Sequence, residues 1–100
     1  MITIKQTEVF ESWLDSLKDK NAQKAISKRL FRVSQGLFGD HKRLTDADGI
    51  HELRVSVGKG YRVYYLRKGE LVIVLLCGGN KGTQSRDITK AKELAKDIEL

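Results

Sequence analysis

The sequence predicts an α+β domain of order β-α-α-β-β-β-α, a small, mostly antiparallel sheet with helices packed on one face. Three observations carry this: an αα-hairpin pattern of apolar residues in the first third, three strand patterns joined by short turns between residues 51 and 76, and a final amphipathic helix. One hundred residues make one domain, 1–100, with room for a modest core.

The elements follow in order. Ile2 and Ile4 alternate with Thr3 and Lys5, as in a short half-buried strand. Thr7 stands where it can cap a helix whose apolar side is Phe10, Trp13, Leu14 and Leu17. Asn21 is the expected cap of a second helix, which carries Ala22, Ile26, Leu30 and Val33 on one side and stops at Gly36. The other side of this helix holds Lys24, Lys28, Arg29 and Arg32, either a solvated face or a stripe toward nucleic acid. Gly39-Asp40-His41-Lys42-Arg43 reads as an exposed basic loop. Residues 51–57 and 61–67 alternate, and the continuous apolar run 71–76 reads as a strand buried on both faces. Gly78, Gly79 and Gly82 then read as a flexible loop around Asn80 and Lys81, offering backbone N–H groups as an anion nest. A last helix from about Thr83 has Ile88, Ala91, Ala95 and Ile98 on its apolar side.

Register decides what the strand arginines do. A three-residue loop between the first two meander strands sets Arg54 opposite Arg62 and Glu52 opposite Tyr64. Leu53, Val55, Val63 and Tyr65 then share the opposite face, whereas a two-residue loop would mix polar and apolar residues on each face. Like charges directly opposite destabilise a sheet and call for compensation. Either Glu52 supplies it as a structural ion pair, or a phosphate does, since paired guanidinium forks match phosphate oxygens. Lys81 can close on the same face, which also holds Tyr64, where its ring can stack on a base. Tyr65 belongs to the core face.

Charge and composition narrow the classes. A net charge of +6, with a pI near 9.6, points toward nucleic acid or an acidic protein partner. No apolar run approaches the roughly 20 residues that span a bilayer, and the first residues form no signal peptide. The single cysteine, Cys77, forms no internal disulfide and reads as a buried, inert thiol, so a cytoplasmic location is expected. His41 and His51 share no metal-ligand spacing with each other or with Cys77. His51 reads as a structural histidine and His41 as an exposed neighbour of Lys42 and Arg43. Phosphate-binding loops, dinucleotide fingerprints and serine elbows are absent from the sequence.

Four segments, taken together, resemble the RelE/ParE superfamily of type II toxin–antitoxin toxins, and most closely its HigB-like addiction module killer branch. They are Glu52-Leu53-Arg54, Gly60-Tyr61-Arg62-Val63-Tyr64-Tyr65, Leu75-Leu76-Cys77-Gly78-Gly79-Asn80-Lys81 and Gln84-Ser85-Arg86-Asp87-Ile88. The resemblance covers essentially the whole chain. It implies a RelE-like, microbial-RNase-like fold and a toxin that cleaves mRNA in the ribosomal A site without metal or other cofactor. It also implies a neighbouring helix-turn-helix antitoxin as partner, besides ribosome and mRNA, and no membrane. Arg62 matches the family's phosphate-contacting strand arginine, with Arg54, Lys81 and Glu52 as further catalytic candidates. Lys24, Lys28, Arg29, Arg32, Lys42, Arg43, Tyr64 and Arg86 are the expected RNA and ribosome contacts. The chain departs from RelE at Ile50 and Glu52, where RelE has a lysine pair, and at Arg86-Asp87-Ile88, where a family tyrosine or histidine serves as acid/base. Two other readings stay open: a ParE-like poison of DNA gyrase acting by binding, and an inactive relic that binds RNA or antitoxin.

Overall fold

Thr7 caps the first helix as its position predicts. Its hydroxyl oxygen accepts the Phe10 N–H at 3.0 Å and donates to the Leu76 carbonyl at 2.6 Å, tying the helix start to the sheet. The computed structural model describes residues 1–98, and the last two residues of the 1–100 domain range lie outside the described residues. Strand β1 (Thr3–Gln6) leads into α1 (Glu8–Asp15) and α2 (Lys20–Ser34). Four strands follow, β2 (His41–Arg43), β3 (Ile50–Val55), β4 (Tyr61–Lys68) and β5 (Val72–Asn80). A 3₁₀ turn (Lys81–Thr83) then joins β5 to α3 (Gln84–Lys96). The second helix starts earlier than Asn21 predicts: Asp19, extended at φ −77°, accepts the Ala22 N–H at 3.1 Å. It ends as expected, with Gly36 at φ +88° just beyond its last turn.

The sheet order is β1-β5-β4-β3-β2, with β1 parallel to β5 and every other pairing antiparallel. The stretch read as an exposed basic loop contributes β2, whose Lys42 pairs with Glu52 and Arg43 with His51. Three charged or polar residues with no apolar alternation gave it no strand signature; pairing with the edge of β3 makes it one.

Helices cover both faces, not one. Phe10, Ala22, Ile26 and Val33 from α1 and α2 pack on Leu53, Val55, Val63 and Tyr65. On the reverse face, Ala91 of α3 closes over Ile50, Tyr64, Val74, Leu76 and Cys77. The reason lies in β5. A register shift between Tyr64 and Tyr65 pairs them with Cys77 and Leu75, so Leu76 is the extra residue of a bulge. Consecutive Leu76 and Cys77 therefore share the α3 face, and an apolar run becomes two half-cores.

The bulge also sets the glycines. A Cβ on Gly78 would come within 2.3 Å of the Trp13 ring, and one on Gly79 within 1.7 Å of the Asp87 carboxylate. The segment read as a flexible loop and anion nest is instead strand as far as Asn80, thinned on both sides so that α1 and α3 approach its backbone. The 3₁₀ turn is closed by a reciprocal cap between Asn80 and Thr83, and α3 begins at Gln84 rather than Thr83. Thr83 also donates to Asp87, in the first turn of α3.

Candidate functional site

The observed register sets Arg54 opposite Arg62 and Glu52 opposite Tyr64, as the three-residue loop predicts. Compensation of the arginine pair comes from two carboxylates rather than one. Arg54 directs Nη2 (2.9 Å) and Nε (3.2 Å) at a single oxygen of Asp40. Arg62 Nη1 lies 3.7 Å from Oε1 of Glu52, which is fully buried. Lys42 approaches the other Glu52 oxygen at 3.9 Å, and Gln84 donates to Oε1 at 3.5 Å from the first turn of α3. Asp40 carries no motif that marks it, and Gln84 opens a family-like segment without a role of its own there; only the strand pairing and the seat of α3 bring them here.

Between the arginines and the turn that joins their strands lies a cavity of about 390 Å³. Arg54, Arg62 and Lys81 all line it, together with Lys59, Gly60 and Tyr61. Its lining has four cations and, among the described residues, no acid. Lys59, which the sequence reading passed over, is marked only by its place in the turn between two arginine strands. Lys81 is held there by its own N–H, which donates to the Gly60 carbonyl at 3.1 Å. Gly60, at φ +81°, supplies the backbone conformation of this corner.

Behind the cavity wall the polar atoms are incompletely paired. Glu52 Oε2, Arg62 Nε and the Tyr64 hydroxyl are all buried without a hydrogen-bond partner. Burial, with Glu52 and Asp87 nearby, raises the Tyr64 pKa and keeps the phenol protonated. Tyr64 is wholly inside the α3 half-core, so stacking on a base is ruled out for it. It has the arginine-face parity expected, but α3 covers that part of the face. Tyr65 is in the core as expected, its pKa pushed up to about 12 by burial.

The remaining predicted contacts divide. Lys28 and Arg32 are exposed and line a second basic hollow of about 320 Å³, which shares Arg54 and Ser56 with the arginine cavity. Arg29 lines it too, but its guanidinium donates to the carbonyls of Arg54 (2.9 Å) and Asp40 (3.3 Å), which makes it a brace between α2 and β3. Lys24 is exposed farther along α2, at a cleft with Leu14 and Gln23. Lys42 and Arg43 are exposed on β2. Arg86 is largely exposed, 3.8 Å from Asp87, and does not line the arginine cavity.

His51 is half-buried and stacks on Tyr65 at 5.2 Å between centroids. Its pKa is lowered by burial first and then by Arg43, Arg67 and His41. His41 is exposed, with Nδ1 2.8 Å from the Gly39 carbonyl. Cys77 is buried, and burial with Asp87 nearby pushes its thiol up to about 12, the inert state expected of it. Among the described residues no group of three or more His, Cys, Asp or Glu could hold a metal ion, and no helix is long and apolar enough to cross a membrane.

Comparison with known proteins agrees with this architecture. Residues 12–98 match the family described as phage derived protein Gp49-like (DUF891). An uncharacterized protein of Haemophilus influenzae is 46% identical over 99 residues, covering 99% of this chain and 98% of that protein. The free-state structure of a mutant E. coli toxin RelE superposes with a TM-score of 0.68 at 13% identity, over 97% of this chain and 98% of that one. That likeness concerns the fold. The chain therefore belongs to the phage-derived Gp49-like family and has a RelE-like fold.

Proposed function

We propose that this protein is the toxin of a type II toxin–antitoxin module and acts as a ribosome-dependent, metal-independent endoribonuclease on mRNA. The observation that carries this reading is the cavity in which Arg54, Arg62, Lys59 and Lys81 meet with no acidic lining residue. Such a site suits a phosphodiester whose charge grows in the transition state. The ribose 2′-hydroxyl attacks phosphorus, the 5′-oxygen leaves, and a 2′,3′-cyclic phosphate results. Arg62 and Arg54 hold the non-bridging oxygens, and Lys81 faces the leaving oxygen. Glu52 does not line the cavity, so it aims Arg62 rather than taking the substrate proton. Lys28, Arg32, Lys42 and Arg43, with Lys24 and Arg86 farther out, dock on ribosomal RNA. The same basic surface calls for an antitoxin that covers it, of the helix-turn-helix type expected beside this branch.

A second reading, poisoning of DNA gyrase by binding, draws on the lining itself. It contains no histidine or carboxylate to act as a near-neutral acid or base. One experiment separates the two: 5′-end mapping of cellular mRNA after brief induction of wild type and Arg62→Ala, with supercoiling assayed in parallel. New ends phased within codons, absent from a folded Arg62→Ala protein, are the expected outcome. Growth arrest with inhibited supercoiling and no new ends overturns the nuclease reading.

A further inference from the structure

Three cations of the cavity, Arg54, Arg62 and Lys81, have roles in the chemistry proposed above, and they are held in different ways. Asp40 grips Arg54 and Glu52 lies against Arg62, so a carboxylate steadies each guanidinium. Among the described residues no carboxylate pairs with Lys81, whose ammonium stands on a long, flexible stem. Its place on the cavity wall is therefore set by the backbone it grows from. We infer that Thr83 and Asp87 are positioning residues for Lys81, a latch that ties the 3₁₀ turn to α3 and keeps the lysine at the phosphate site. The inference rests on the phosphate reading given above and adds to it two residues that touch no substrate.

The turn has little rigidity of its own. It spans only Lys81–Thr83, its middle residue is Gly82, and 3₁₀ hydrogen bonds have poorer geometry than those of an α-helix. Side chains supply what the backbone lacks. Asn80 Oδ1 accepts the Gly82 N–H at 2.8 Å, and the Thr83 hydroxyl oxygen accepts the Asn80 N–H at 3.2 Å. The Lys81 N–H donates to the Gly60 carbonyl, which fixes this residue at one point. The Thr83 hydroxyl has a single proton to give, and the Asp87 carboxylate lies nearer to it than the Asn80 carbonyl at 3.3 Å. A bond to a carboxylate is also the stronger of the two. Thr83 thus joins both ends of the turn to α3 through one oxygen.

Asp87 is a firm anchor because β5 and α3 enclose it. It is 7% exposed, and its carboxylate occupies the space that a side chain on Gly79 would need. Its carbonyl accepts from the Cys77 thiol at 3.4 Å, a second tie to β5. Neither Thr83 nor Asp87 lines the arginine cavity, so their effect reaches it through Lys81.

The test uses the full chain and an uncleavable probe, 2′-deoxyadenosine 3′,5′-bisphosphate, titrated by NMR with the Arg62 Nε–H and the Lys81 Cε methylene as reporters. Lys81→Met should weaken binding about 5-fold, the scale of one solvent-accessible ion pair. Thr83→Val keeps the shape of the side chain and removes the hydroxyl. It should weaken binding about 3-fold, since a loosened lysine still reaches the probe part of the time, and Thr83→Ser should bind like wild type. In the Lys81→Met background, Thr83→Val should change affinity by less than about 1.5-fold, because its action passes through Lys81. Asp87→Ala should shift the Lys81 methylene in the same direction as Thr83→Val does; where Asp87→Ala does not fold, Thr83→Val carries the test. A Thr83→Val protein that binds like wild type overturns the latch and leaves the phosphate reading standing. Equal weakening with and without Lys81 also overturns it, since the loss then spreads through the fold. Unchanged binding by Lys81→Met, with its methylene in the parent chain still shifted by Thr83→Val, overturns the phosphate role of Lys81 and leaves the latch.

Discussion

Glu52 shows how one residue can be legible in identity and illegible in role. From sequence it is a carboxylate beside two arginines; in the fold it is a fully buried charge whose nearest cation, Arg62, faces a cavity. A buried charge stripped of its partner is costly, so removing the negative charge strands Arg62. Glu52→Gln should lower stability by about 2 kcal/mol, below the roughly 3–5 of a fully buried pair because Arg62 retains some solvent contact. Urea denaturation measures this, and the same variant should weaken phosphate binding if Glu52 aims the guanidinium.

His51 gives a pH dependence at the same scale. Burial and the neighbouring cations lower its pKa below the ordinary 6.5, so the unfolded chain takes up a proton before the native state does. The stability it contributes is present above pH 6.5 and is lost as pH falls through the lower native value. Urea midpoints measured from about pH 7.5 to 5 should therefore fall more steeply for wild type than for His51→Phe, which keeps the ring stacked on Tyr65 without the titration.

At the scale of elements, β5 organises the molecule. It pairs with β1 and β4, carries the bulge, and touches α1 and α3 through two adjacent glycines on opposite faces. Gly79→Ala forces its methyl into the Asp87 carboxylate and the Thr83 hydroxyl, and overpacking of this kind costs about 1–3 kcal/mol. The expected signature is local: hydrogen exchange should quicken in the first turns of α3 more than in α2. Gln84, which reaches Glu52 from that turn, makes the loosening felt at Arg62. The glycines were visible in the sequence, and so was the apolar run before them. The bulge was not, because it inserts one residue without altering the apolar pattern that marks a strand. Without it, parity puts Gly78 on the wrong face and leaves no reason for a rigid strand where a loop reads just as well.

At the scale of the whole molecule, the net charge of +6 sets how the protein meets RNA. Each phosphate neutralised on a single strand contributes a slope of about −0.7 to log K against log salt. Binding of a short uncleavable RNA should show a slope of roughly −2 to −3 if the four cavity cations engage the chain, and Arg62→Ala should make it shallower by about 0.7. Filter binding across a salt series checks both numbers. An unchanged slope would mean that Arg62 meets no phosphate.

The helix faces, the cap that starts α1 at Thr7 and the stop of α2 at Gly36, the meander and the Arg54–Arg62 register were determined by the sequence itself, since periodicity and turn length act locally. So was the RelE-like fold, whose motif segments lie along β3, β4 and β5 and at the start of α3. Tertiary structure alone decided the rest. It turned a polar stretch into β2 by pairing it, seated α3 on the second face, buried Tyr64, and brought Asp40 and Lys59 to the arginines. These depend on contacts between residues far apart in the chain, where the free energy comes from burial and charge pairing that no local pattern records.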